Sequence, residues 1–122
     1  MHNLAASAYQ TTSQKTVGGR ELEAQLLLKA AAKLQLTLEQ WETEAPESLS
    51  DALTYNRRLW TILATSVTSE DNPLPVEIRQ NLGSLGAFIL NHTLNLMMRP
   101  ERDRIKTLIS INRNIAQGLR GG

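Results

Sequence analysis

Acid–base or metal chemistry needs histidines, cysteines or clustered carboxylates, and this chain offers few of them. There is no cysteine, which excludes a disulfide framework and thiolate metal sites. Of the two histidines, His2 stands in the N-terminal stretch and His92 falls on an apolar helical stripe. His92 could serve as a general base, but a lone histidine on such a stripe is more often a satisfied core residue. No His pair or carboxylate–His group has the spacing of metal ligands. The glycines of VGGRE and NLGSLG form no phosphate loop, because neither run ends in Gly-Lys-Ser/Thr or follows a strand. The chain is therefore expected to be no enzyme and to hold no cofactor or metal.

The polar residues that do stand out are amides and guanidinium groups. ALTYNRRLW, residues 52–60, and LISINRNIAQGL, residues 108–119, each set Asn-Arg in the middle of an apolar stripe. Leu49, Leu53, Asn56, Trp60 and Leu63 follow one another at spacings of four and three, which puts Asn56 on the buried face of a helix. Ile105, Leu108, Asn112, Ile115 and Leu119 do the same for Asn112. Asn81, beside Leu82, lies at the edge of a further stripe. A buried amide costs about 1–3 kcal/mol unless its hydrogen bonds are met. Facing amides can satisfy one another, and a polar residue in an apolar seam fixes helix register. Asn and Arg supply neither a nucleophile nor a group that titrates near neutral pH. A register-fixing layer at Asn56 and Asn112 is preferred over a chemical site, with Arg57, Arg58 and Arg113 beside the layer and the arginines reaching outward.

The elements that must carry these residues are helices. A length of 122 residues suits one domain, 1–122. Aromatics are only 4%, so the core must be built from Leu, Ile and Ala, a palette that favours helix over sheet. No run alternates with period two for the length of a strand. The expected fold is all-α, a small antiparallel bundle of about four to five helices. A short, weakly amphipathic helix over residues 3–14, through Leu4, Ala8 and Tyr9, leads into the loose connection TTSQKTVGG, so that 1–19 stands apart. A second helix begins after Gly19 with Leu22, Leu26, Ala30 and Leu34 as its stripe. TLEQ at 37–40 reads as a capping box that breaks or kinks it before a short piece carrying Trp41. The third covers about 46–68, with Leu49, Leu53, Trp60, Leu63 and Val67 inward. The fourth covers about 74–98, with Ile78, Leu82, Leu85, Ile89 and Leu96 inward. The fifth covers about 101–117, and Gly118 is placed to end it. Pro46, Pro73, Pro75 and Pro100 mark helix starts or the turns before them. Gly83 and Gly86, inside a helix, permit a neighbour to approach closely.

Two surfaces ask for a partner. GAFILNHTLNLMM is apolar on more than one side: Phe88, Ile89 and Leu96 belong to the stripe, while Leu90, Leu94, Met97 and Met98 fall on another face. Either the fourth helix is central and buried on both sides, or that face is an exposed groove of the adaptable, Met-rich kind that accepts helices. The second surface is electrostatic. The net charge of +1 gives no global field for nucleic acid, but residues 99–122 hold six basic side chains against two acidic ones. Arg99, Arg102, Arg104, Lys106 and Arg113 would be an RNA footprint, although a solvated helix face is the plainer reading. No run is a signal peptide or reaches transmembrane length, so a cytoplasmic location with no membrane partner is expected.

AYQ, GRELEAQLLLKAA, ALTYNRRLWTIL, DNPLPVEIRQNLGSLGAFILN and LISINRNIAQGLRG occur in order from about Ala8 to Gly121. In that order and spacing they resemble the flagellar biosynthesis regulator FlaF family. Gly18-Gly19 depart from the pattern, since many relatives carry Ser-Pro there. The resemblance implies a small cytoplasmic protein required for flagellin production or secretion. It also implies flagellin as partner in a chaperone-like role, and action alongside the regulator FlbT, which controls flagellin translation. It transfers no catalytic residue. It marks Asn56, Arg57, Arg58, Trp60, Asn72, Pro73, Leu74, Pro75, Asn81, Asn112 and Arg113 as signature positions. The leading expectation is a flagellin-binding module with Leu90, Leu94, Met97 and Met98 as apolar contacts and Arg57 and Arg58 at the rim. A regulator of flagellin messenger RNA, acting directly or through FlbT, is the rival.

Overall fold

The structure, a computed structural model, describes residues 18–121. The expected helix over 3–14 lies outside the described residues. Four helices follow in order: α1 (Gly18–Gln40), α2 (Ser48–Val67), α3 (Val76–Met98) and α4 (Arg102–Leu119). No strand occurs among the described residues. The short connections force antiparallel neighbours. α1 packs most closely on α4, α2 packs on α3, α1 and α2 join the two pairs, and α3 and α4 touch only lightly. The ends confirm the directions. Arg120, just past α4, forks onto the Glu21 carboxylate in the first turn of α1, at 2.8–3.1 Å. At the other end the Arg102 guanidinium donates to the Glu42 carbonyl and lies 5.5 Å from the Trp41 ring.

The core follows the apolar stripes, with corrections that have physical causes. On α1 the buried residues include Ala24, Leu27, Ala30, Ala31 and Leu34, whereas Leu22 is 36% exposed and Leu26 only half-buried. Steps of four alone precess by about 40° each round a helix of 3.6 residues per turn. The expected Leu22–Leu26 end of the stripe therefore rotates off the face that Ala30 and Leu34 hold, and Leu27 replaces it. The expected capping box does not break α1. Thr37 is buried, and its hydroxyl donates 2.6 Å back to the Leu34 carbonyl, a bond made inside a continuing helix. The helix runs to Gln40, and Trp41 sits in the non-helical turn beyond it.

α2 buries Leu49, Leu53, Trp60, Leu63 and Val67, as the spacing predicts. α3 is rotated from expectation. Its buried line is Leu82, Gly86, Ile89, Thr93 and Leu96, at spacings of four and three, while Ile78 and Phe88 are exposed and Leu85 is half-buried. Gly86 is one reason. A Cβ built there would stand 3.3 Å from the Ala64 Cβ and 3.8 Å from Trp60, so the bare backbone lets α3 lie against α2. Gly83 has no such need, its nearest neighbour being Val67 at 4.0 Å. α3 is not the central helix: it packs on α2 and hardly on α4, which leaves its outer face open. On α4, Ile105, Leu108, Ile109, Ala116 and Leu119 are buried. Gly118 lies within the helix rather than ending it. Gly121, at φ +80°, takes the left-handed turn, and its N–H bonds the Gly118 carbonyl at 3.1 Å.

Candidate functional site

The two Asn-Arg pairs meet at the middle of the bundle. Asn56 on α2 and Asn112 on α4 are fully buried, and the Asn112 amide donates 2.7 Å to the Asn56 Oδ1. The Trp60 indole N–H, one turn on from Asn56, donates 2.9 Å to the Asn112 Oδ1. The Asn112 amide also reaches the Leu27 carbonyl of α1 at 3.4 Å. Three helices are thus tied through one side chain. The Asn56 Nδ2 alone in this layer has no partner. Asn56, Asn112 and Trp60 are all fully buried, so the arrangement is one of packing and not of chemistry. The i, i+4 spacing of Asn56 and Trp60 was the available signal that one facing residue serves both.

The remaining signature positions divide. Asn72 is buried and organises the α2–α3 turn. Its amide donates to the Ser66 carbonyl and hydroxyl at 3.2 and 3.0 Å, and its Oδ1 accepts the Leu74 N–H at 2.9 Å. That last bond is an Asx turn, and it tucks Leu74 into the core while Pro73 and Pro75 stay exposed. Pro75 caps α3, accepting the Arg79 N–H at 3.0 Å. Asn81 is exposed rather than at a buried edge. Arg57 is half-buried, and Arg58 and Arg113 are exposed. Arg58 lines a hollow between α1 and α2 with Leu26, Lys33, Tyr55 and Ile62, so the structure does not bring it to the end of α3.

His92 does not occupy the buried stripe, where Thr93 sits instead. Its ring is half-buried, stacked on Phe88 with centroids 5.1 Å apart, and Nε2 lies 3.1 Å from the Arg104 carbonyl. No group of three or more His, Cys, Asp or Glu that could hold a metal ion occurs among the described residues. No helix among them is long and apolar enough to cross a membrane.

What α3 does present is an apolar strip. Leu90, Leu94, Met97 and Met98 recur at i, i+4, i+7 and i+8, which places them along one side of the helix. Leu90 is half-buried, Leu94 is 52% exposed and Met98 81% exposed. Met97 carries the strip into a hollow lined by Pro46, Leu49, Leu53, Leu96 and Pro100, where α2 begins and α4 is about to begin. The basic residues nearby are largely engaged. Arg104 pairs with Glu101 at 3.2 Å and Lys106 with Asp103 at 3.7 Å, both within one turn of α4. Arg102 is held by Glu42 and Trp41.

A closed amide layer, dispersed ionisable groups and an open apolar strip define a small all-α bundle with no assembled catalytic constellation among its described residues. Residues 5–119 match the family model described as Flagellar protein FlaF, which covers nearly the whole chain. The chain belongs to the FlaF family, a flagellar family rather than an enzyme family, and its role lies in flagellum biogenesis. No curated protein and no solved structure matches it.

Proposed function

We propose that the protein binds flagellin in the cytoplasm and acts as its chaperone before secretion. The observation that carries this reading is the apolar strip of half-buried Leu90 and exposed Leu94, Met97 and Met98 on a member of a flagellar family. Monomeric proteins rarely leave contiguous apolar surface uncovered without a use for it. The strip has the spacing and the Met content of a surface that accepts an amphipathic helix. A terminal segment of unassembled flagellin, disordered alone and able to fold on contact, is the occupant that fits a chaperone role. Arg57, half-buried on α2, is a rim contact on this reading; Arg58, on the α1–α2 face, is not.

Calorimetric titration with monomeric flagellin tests it. Saturable binding with a negative heat-capacity change is expected, because apolar area is buried. Leu94→Glu should weaken binding by about 100-fold, since losing a buried leucine costs roughly 1.5–3 kcal/mol before the charge is counted. Leu94 is half outside already, so the variant keeps its helical circular dichroism. Unchanged affinity in folded Leu94→Glu would remove this strip as the site. Absence of flagellin binding altogether would shift the role to FlbT or to messenger RNA. An RNA footprint at Arg99, Arg102, Arg104, Lys106 and Arg113 would show affinity that falls steeply with salt. The ion pairs that occupy Arg104 and Lys106 weigh against it.

A further inference from the structure

At the end of the bundle where α1 begins and α4 finishes, α3 and α4 leave an apolar groove between them. Pro73, Pro75, Ile78, Leu82, Ile115 and Leu119 line it, and Arg20 and Asn114 supply polar groups among them. Ile78 is 43% exposed there, a β-branched residue on a helix face that no described element covers. Arg20 lies in the first turn of α1, so the chain enters the bundle beside this groove.

Seventeen residues precede Gly18. The family match begins at residue 5 and so takes in most of that stretch. Its apolar residues Leu4, Ala5, Ala8 and Tyr9 have the spacing of one helical face. The eight residues 10–17 between Tyr9 and Gly18 can span up to about 26–29 Å, enough to double back across the end of the bundle. A tether of that length supplies an effective concentration on the order of millimolar, which favours the chain's own segment over a second copy.

We propose that residues 3–9 dock in the groove between α3 and α4, setting Leu4 and Tyr9 against Ile78, Leu82 and Ile115. This goes beyond the flagellin reading and does not depend on it, because the Leu94–Met98 strip lies at the opposite end of α3.

The test is paramagnetic relaxation in the full-length chain. The chain has no cysteine, so Ser7→Cys gives a single attachment point for a nitroxide. The amides of Ile78, Leu82 and Ile115 should broaden, while those of Leu94 and Met98 keep their intensity. Adding Leu4→Glu should restore the Ile78 signal. A reciprocal nitroxide at Asn114→Cys should broaden the amides of Leu4 and Tyr9. Equal intensities at the two ends of α3 would overturn the proposal. So would broadening that passes to isotope-labelled chains mixed with spin-labelled ones, which would give the groove to a second copy. The readout needs no flagellin, so its failure and a failure of flagellin binding are told apart.

Discussion

Removing the Asn112 side-chain amide while keeping its shape should do more harm than removing both amides of the layer. Leucine has the same branching and the same number of side-chain heavy atoms as asparagine, so Asn112→Leu opens no cavity and isolates the polar term. It strands two fully buried groups, the Trp60 indole N–H and the Asn56 Oδ1, each now bonded to Asn112. The Leu27 carbonyl loses only a long 3.4 Å contact. At about 1–3 kcal/mol for each stranded group, the expected loss is about 2–6 kcal/mol. That is a large part of the 5–15 kcal/mol that holds a typical domain folded. Asn56→Leu should cost less, below about 2 kcal/mol. It leaves the Asn112 amide its Leu27 contact and also removes the already unpartnered Asn56 Nδ2.

In Asn56→Leu/Asn112→Leu only the Trp60 N–H is left without a partner, at a cost of about 1–3 kcal/mol. The double variant should therefore be more stable than Asn112→Leu alone by about 1–3 kcal/mol, and the coupling energy, which adds the Asn56→Leu loss to that difference, should be about 1–5 kcal/mol. Urea unfolding followed by far-ultraviolet circular dichroism and by fluorescence of the buried Trp60 measures all three. Additivity of the single changes to within about 0.5 kcal/mol would refute the coupled layer. If the layer also fixes register, the double variant should show poorer amide dispersion in its NMR spectrum despite its recovered stability.

Gly83→Ala should stabilise by about 0.5–1 kcal/mol through helix propensity, because its new Cβ meets nothing nearer than 4.0 Å. Gly86→Ala should lose that gain to the 3.3 Å contact with Ala64, and Gly86→Leu should destabilise by about 1–3 kcal/mol; thermal melts compare them. Asn72→Ala strips three hydrogen bonds from the α2–α3 turn and should cost about 1–3 kcal/mol, with hydrogen exchange rising first at Leu74 and the start of α3. The Glu21 carboxyl is held below its ordinary value, chiefly by the hydrogen bonds from Arg120 and against the opposing effect of desolvation. A depressed carboxylate contributes stability above its unfolded pKa and loses it as pH falls through the folded one. The melting-temperature gap between the wild type and Arg120→Gln should accordingly be open at neutral pH and close on acidification below the ordinary glutamate range.

Residue spacing alone shows that the chain is helical, where the four described helices begin and end to within a few residues, and that Asn56 and Asn112 lie on buried faces. Periodicity carries that information because each apolar stripe is a local property of one helix. The same local reading went astray where a helix's orientation depends on its neighbours. Nothing in Leu22 or Ile78 distinguishes them from Leu27 or Ile89 until α1 meets α4 and Gly86 lets α3 settle against α2. TLEQ has the residues of a helix start, yet Thr37 is drawn into the core and back-bonds inside α1, because the tertiary contacts outweigh a local cap. The exposure of Leu94, Met97 and Met98 was undecidable from the chain alone, since two apolar faces fit either a central helix or an outer one. Only the packing, with α3 against α2 and barely touching α4, left that strip and the Ile78 groove open at opposite ends of the same helix.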